Sequence, residues 1–206
     1  MKIKASFDDA TVDDLKAADL MAKYEIETIF YWPVMPEIVN EPKGRTSLSE
    51  QEQIIVASQF EIGSHTITHP LLTRIPLEHA ETEIRVSRGA LQQKFNQEIN
   101  SFCYPRGYAN PALQQIVVES GYSSARSTLV GYVHQSENPF FEQTAVHISC
   151  DRKEYAGLDW YDYAMKLLDI ARVIPDSVFH IFGHSWEIDE HDDWDRFENF
   201  LQELTS

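Results

Sequence analysis

Short apolar runs alternate with amphipathic stretches along the whole chain, and the change of period marks its elements. KIKASF (2–7) reads as a first strand, and Asp14, Leu15 and Met21 follow at helical spacing behind Thr11, which suits the N-cap of that helix. TIFYW (Thr28 to Trp32) is a second strand that runs into a proline-rich loop, PVMPEIVNEPKG. Ser47 with Glu50 three residues later has capping-box spacing and predicts a helix to about Ser58. FEIG (60–63) is a third strand, and a long helix is expected from near Pro76, a residue suited to the first helical position. SFCY (Ser101 to Tyr104), SSAR (Ser123 to Arg126), TAVHIS (Thr144 to Ser149) and SVFHIF (Ser177 to Phe182) supply strands four to seven. Helices are predicted from about Asn110 to Ser120 and along Trp160, Ala164, Leu167, Leu168 and Ala171. A last helix places Trp194, Phe197, Leu201 and Leu204 on one face.

Seven strands joined mostly by helical crossovers imply a parallel sheet. Closed, it is an irregular (β/α)7-type barrel; an open doubly wound α/β sheet is the alternative, weakened because no GxGxxG fingerprint follows the first strand. With 206 residues, 43% of them hydrophobic, the chain suits one domain, 1–206. A formal net charge of -16 argues against nucleic acid and strongly acidic polymers as partners. Two cysteines, Cys103 and Cys150, are too few for a disulfide framework. No apolar run is long enough to insert in a membrane, and MKIKASFDD lacks a signal h-region. The expected location is cytoplasmic, or extracellular after a removed leader. Oligomeric state is not encoded in any pattern here.

In parallel α/β folds the working residues lie beyond the carboxyl ends of the strands. Those positions hold Asp8 and Asp9, His65 and His69, the segment Pro105 to Tyr108, Arg126, Asp151 with Arg152, and His184 with Trp186 and Glu187. His65 and His69 (HTITH) lie four apart; on a helical turn both imidazoles face one ion, though HxxxH also arises by chance. Two adjacent aspartates repel unless a cation neutralises one of them; otherwise one simply caps a helix. His180 reads as a packed core histidine and His79 as solvated, while His147 is open to either face. The acidic run EIDEHDDWD reads as a loop entering a helix N-terminus. The loop from Thr128 to Phe141 is a candidate cleft cover.

Taken in order, these segments resemble the NodB-type polysaccharide deacetylases, carbohydrate esterase family four. SFDDA resembles the family's Thr-Phe-Asp-Asp-Gly motif, with Ser6 and Ala10 as departures; HTITH is close to its His-Ser/Thr-x-x-x-His type, one position shorter. CYPRG corresponds loosely to its Arg-Pro-Pro-Tyr-Gly motif, LDW (158–160) to its Asp-Trp motif, and His184 in FGHSWEID to its late histidine. The resemblance implies that Asp9, His65 and His69 bind one divalent metal ion, Zn²⁺ first, with Co²⁺, Ni²⁺ or Mn²⁺ as alternatives. It implies Asp8 as general base, His184 as the acid for the departing amine, and a backbone N–H near Arg106 as an oxyanion donor. Tyr104, Pro105, Gly107, Trp160 and Trp186 become candidate substrate contacts, Trp186 foremost, by stacking on a sugar. Where the family has a base-orienting arginine, this chain has Cys103, so Arg126 or Arg106 is expected to reach Asp8, with Asp159 a candidate to orient it. The implied activity is removal of N-acetyl groups from an N-acetylated carbohydrate. A small-amide hydrolase of allantoinase-like kind and a catalytically silent carbohydrate-binding domain are the competing readings.

Overall fold

The computed structural model describes residues 1–39 and 44–206, so part of the predicted proline-rich loop, 40–43, lies outside the described residues. Seven parallel strands form one sheet: β1 (Lys2–Asp8), β2 (Glu27–Trp32), β3 (Glu61–Ser64), β4 (Ser101–Cys103), β5 (Ser124–Arg126), β6 (Val146–His147) and β7 (Val178–Gly183). Their order is β5-β4-β3-β2-β1-β7-β6, with β1 between β2 and β7, Phe7 opposite Phe30 on one side and Gly183 on the other. The last four residues of β1 are all buried, as expected of a parallel strand covered on both faces.

The helices are α1 (Asp14–Lys23), α2 (Glu50–Ala57), α3 (Leu77–Phe95), α4 (Pro111–Glu119), α5 (Trp160–Val173), α6 (Ser185–Glu190) and α7 (Trp194–Thr205). Phe7 stacks on Phe30 at 5.6 Å and meets Phe197 of α7 edge-on at 6.3 Å, so α7 seals the outside of β1. Burying an aromatic ring of this kind contributes ~1.5–3 kcal/mol.

The crossover from β5 to β6 carries no α-helix, and it curls the sheet. Within it, Glu142 N–H donates to Ala125 O at 2.7 Å and Glu142 O accepts from Ser127 N–H at 2.8 Å. Three residues on, Ala145 N–H donates to His180 O at 2.8 Å before β6 pairs with β7. One short span therefore links the two sides of the sheet into a curled half-barrel of the (β/α)7 type, and the open doubly wound alternative does not hold. Among the described residues no helix is long and apolar enough to cross a membrane.

Four local expectations are corrected. Thr11 does not cap α1: it bridges Ser47 and shares a 2.9 Å hydrogen bond with Ser185 Oγ, while the helix starts at Asp14. With Ser47 so engaged, the capping box falls two residues later, Ser49 Oγ accepting from Glu52 N–H and Glu52 Oε2 from Ser49 N–H at 2.7 Å. Pro76 occupies the N-cap of α3 and not its first turn. Residues 185–190 form a helix where a loop is expected in the acidic run.

Behind the mouth of the barrel, Asp14 joins three elements. Its carboxyl accepts from Trp32 Nε1 at 2.8 Å and from Ser185 Oγ at 2.6 Å. Burial pushes this carboxyl up to about 8, against those two hydrogen bonds and with the charges of Asp9 and Asp8 adding to the rise.

Candidate active site

β1 ends at Asp8, and the chain then takes two successive left-handed residues, Asp9 (φ 84°) and Ala10 (φ 57°). Such conformations cost a non-glycine residue of order 1–3 kcal/mol and persist only where the surroundings hold them. This kink gives the adjacent carboxylates different neighbours: Asp8 meets β4 and β5, and Asp9 meets β3, β7 and the Arg45 loop.

Asp9 is 4% exposed. Its Oδ1 lies 3.7 Å from His65 Nε2 and 3.6 Å from His69 Nε2, and among the described residues it has no hydrogen-bond partner. His65 Nδ1–H donates to Cys103 O at 2.8 Å, which leaves its Nε2 lone pair directed at Asp9. Burial, reinforced by the neighbouring His65, lowers His69 to about 4, so its imidazole is neutral. Burial raises the Asp9 carboxyl, but His184, His69, His65 and Arg45 together bring it down to about 2. An unpartnered anionic oxygen in a desolvated pocket is costly. One carboxylate and two imidazoles whose ligand atoms lie within 4.8 Å of one another fit a divalent cation. Two other clusters pass the same distance test, Asp8–His65–Cys103 and His147–His184–Glu187, but Asp8 already carries Arg126 and Glu187 Oε2 already accepts from two rings.

HTITH is not helical. Left-handed Thr66 (φ 72°) and His69 (φ 58°) form a turn in which Thr66 Oγ1 accepts from His69 N–H at 2.9 Å. Glu83 of α3 braces the turn through the N–H groups of Ile67 and Thr68, at 2.7 and 3.0 Å. The imidazoles converge through this turn and not along one face of a helix, correcting the sequence expectation.

Arg126 is the arginine that reaches Asp8. Its Nη2 donates to Asp8 Oδ1 at 2.5 Å, and Asp8 Oδ2 takes the same donor. Cys103 and Arg126 are register partners on β4 and β5, and the small thiol leaves room for the guanidinium of the next strand to pass, Nη2 to Sγ being 2.9 Å. Fully buried Arg126 also lies 4.5 Å from the Phe182 ring. Burial raises the Asp8 carboxyl, but the charges of Arg126, His65 and His184 and the Arg126 hydrogen bond together outweigh it, so Asp8 is held below the usual carboxylate range. Arg106 instead stands exposed at the rim of the cleft.

His184 follows β7. Its Nδ1 and His147 Nε2 both lie 2.8 Å from Glu187 Oε2, and its own Nε2 lies 3.7 Å from Asp9 Oδ2. Arg152 Nη1, which can only donate, approaches His147 Nδ1 at 3.4 Å, so His147 carries its hydrogen on Nε2 and donates to Glu187. Burial opposes charge on His184, but the Glu187 carboxylate and hydrogen bond prevail, with Asp9 and Asp8 adding, and raise it to about 9.

These groups line a cleft of about 660 Å³. Gly107 belongs to its wall with φ 74°, and a Cβ there would meet Thr128 Oγ1 at 2.1 Å, which explains glycine at this position. Trp186 lines the cleft beneath the Arg45 guanidinium, 4.1 Å above its ring. Tyr104 and Pro105 are buried behind the wall, the Tyr104 hydroxyl donating to Phe140 O at 3.0 Å, so neither is placed to touch a substrate. Trp160 is 2% exposed, donates to Asp193 Oδ2 at 2.7 Å and packs edge-on against Phe200, which corrects its assignment as a sugar platform. Asp159 caps α5 and pairs with Arg196 at 2.6 Å, not with Arg126. From the predicted covering loop, Thr128, Leu129 and Phe141 reach the cleft. Sequence reasoning missed Arg45, which lies in a loop without a motif, and the joint role of Glu187 and His147. Glu187 carried a signal, lying three residues beyond His184 at helical spacing.

The sequence model of the polysaccharide deacetylase family matches residues 2–125, more than half of the chain. This chain belongs to the polysaccharide deacetylase family. No curated protein sequence matches it. The fold resembles the Streptococcus pyogenes deacetylase PplD in complex with acetate, with TM-score 0.59 and 20% identity over 68% of this chain and 62% of that one. It also resembles a family 4 carbohydrate esterase from Streptomyces lividans in complex with acetate, with TM-score 0.61 and 13% identity over 99% and 89% of the two chains. A wild-type CE4 family pseudoenzyme from Bacillus anthracis matches with TM-score 0.61 and 10% identity over 98% and 60%. The match spans about three fifths of the length of the first of these deacetylases and of the pseudoenzyme. Family and fold together support a deacetylase, and enzymes of this family are generally metal-dependent.

Proposed function

We propose that this polysaccharide deacetylase is a metal-dependent hydrolase that removes N-acetyl groups from an amino-sugar glycan or oligosaccharide. The observation that carries this reading is Asp9 Oδ1, a buried carboxylate oxygen with no hydrogen-bond partner among the described residues that faces two imidazole nitrogens. Asp9, His65 and His69 would hold the divalent cation, Zn²⁺ first and Co²⁺, Ni²⁺ or Mn²⁺ as alternatives, which supplies Lewis acidity toward the acetamide carbonyl and a more acidic water. Asp8 accepts the proton of the attacking water. Arg126 keeps Asp8 ionised and fixes its orientation. His184, held by Glu187 on its Nδ1 side, keeps Nε2 toward the cleft and delivers a proton to the departing amine, which leaves poorly without one. Trp186 offers an aromatic edge to the sugar.

The pseudoenzyme among its structural neighbours makes a silent binding domain a fair competitor. It is disfavoured because Asp8, Asp9, His65, His69 and His184 are all present and converge on one cleft. Elemental analysis of wild type beside Asp9→Ala and His65→Ala tests the reading, together with acetate release from chito-oligosaccharides. The expected result is about one divalent ion per chain in wild type, lost in both variants, with acetate released only by the loaded wild type. A wild type that stays empty after reconstitution with all four metals overturns it.

A further inference from the structure

The two carboxylate oxygens of Asp9 face different groups. Oδ1 lies toward His65 and His69, 3.7 and 3.6 Å from their Nε2 atoms, while Oδ2 accepts from Arg45 Nη1 at 2.7 Å. His184 Nε2 lies 3.7 Å from Oδ2, beyond hydrogen-bond range, so Arg45 alone claims that oxygen among the described residues. Arg45 Nε is buried and has no acceptor among them. The face of the guanidinium is held instead by a ring, its carbon lying 4.1 Å from the centre of the Trp186 indole. Arginine suits this place because its planar fork donates in the plane while the face of that plane stacks; lysine has no such face.

The backbone brings these three side chains together. The residues after Asp9 and those after Arg45 run as a short antiparallel ladder, with Thr11 opposite Ser47. Val12 N–H donates to Thr46 O and Leu48 N–H to Ala10 O, both at 2.9 Å. Thr11 Oγ1 shares a 2.9 Å hydrogen bond with Ser185 Oγ, and Ser185 precedes Trp186 on α6. One threonine thus ties together the segments that carry Asp9, Arg45 and Trp186.

Resting on the metal-dependent reading above, we infer that Arg45 is a positioning residue for the metal ligand Asp9: it claims Oδ2, leaves Oδ1 as the one oxygen offered beside two imidazoles, and thereby sets which cation the site retains. Imidazole nitrogen suits Zn²⁺, whereas each further carboxylate oxygen suits Mn²⁺ better. Partners standing behind a metal ligand change affinity by about 10–100-fold. Losing the Arg45 charge strengthens every divalent ion alike, so absolute affinity does not isolate the effect. The ratio of Zn²⁺ to Mn²⁺ affinity does, because it reads how many oxygens Asp9 offers.

The test strips the full chain of metal and titrates Zn²⁺ and Mn²⁺ separately, by calorimetry against a competing chelator, into wild type, Arg45→Met, Arg45→Lys and Trp186→Leu. The expected result is a preference for Zn²⁺ over Mn²⁺ at least about ten-fold smaller in Arg45→Met than in wild type. Arg45→Lys keeps a charged donor for Oδ2 and recovers part of that preference. Trp186→Leu removes the ring beneath the guanidinium and lowers the preference in the same direction, by at least about three-fold; it decides the matter if Arg45→Met does not fold. A general loosening of the site weakens both ions together and leaves the ratio where it was. A ratio unchanged in folded Arg45→Met, or in Trp186→Leu if only that variant folds, overturns the inference, as does a loss that lysine does not recover at all. Failure of wild type to bind either ion removes the metal-dependent reading and this inference with it, whereas binding of both ions with an unchanged ratio removes the inference alone.

Discussion

Asp8 and Asp9 are neighbours in sequence with opposite surroundings, one closed by a guanidinium and the other left with an open oxygen. Arg126→Ala leaves a buried carboxylate unpaired, and the expected cost is ~3–5 kcal/mol in stability, read from urea midpoints, with a large drop in turnover. Returning the charge from the adjacent strand, in the double variant Cys103→Arg/Arg126→Ala, is expected to recover part of the lost turnover, because the two positions are register partners. No recovery in a stably folded double variant would show that Arg126 does more than pair with Asp8. At this scale the sequence was legible where residues are adjacent or share a motif, as in the aspartate pair, HTITH and His184. It was not legible where a contact joins distant segments. Nothing local distinguishes Arg126 from Arg106 as the partner of a residue 118 positions away, and the family match itself ends at Ala125. Trp160 misled for a related reason, since position at a strand or helix end says nothing of which way an indole turns.

Strands were readable because parallel strands buried on both faces favour short apolar runs, as in TIFYW and SVFHIF, and each of the seven overlaps a predicted segment. Helix starts were less so, since capping residues recur. TSLSEQE offers Ser47 with Glu50 and Ser49 with Glu52, and only tertiary structure chooses, by engaging Ser47 against Thr11. Ser49→Ala is accordingly expected to lower stability by ~1 kcal/mol, with Ser47→Ala costing less through the cap itself. Urea unfolding of the two variants side by side checks the order; equal losses would contradict the assigned cap. The short α6 was missed because its acidic run lacks an apolar stripe, and it still matters, since it delivers Glu187 to His184 and Ser185 to Asp14.

For the molecule as a whole, the order of seven strands and their crossovers was legible, while the closure through 142–148 was not, because a helix-free connection leaves no periodic trace. Asp14 gives a whole-molecule consequence. Its carboxyl holds a proton to about 8 when folded and releases it near 3.8 when unfolded. Between those values the unfolded state binds fewer protons, so this contribution to stability falls as pH rises from about 4 to about 8. In chelated protein, wild-type stability measured relative to Asp14→Asn is expected to decline across that window, and a flat difference would refute the buried neutral carboxyl.

The pairing of Asp8 with Arg126 also bears on the order in which the molecule acquires its properties. Residue 8 cannot meet residue 126 until the strands that lie between them in the sheet are aligned, so the contact closes a long loop, its partners 118 positions apart. A nascent or partly refolded chain that ends short of β5 holds its future general base without a counter-charge. Catalytic competence is thus a late-arriving property, reached only after most of the hydrophobic core is in place, and hydrogen exchange at the β5 edge reports on the same event.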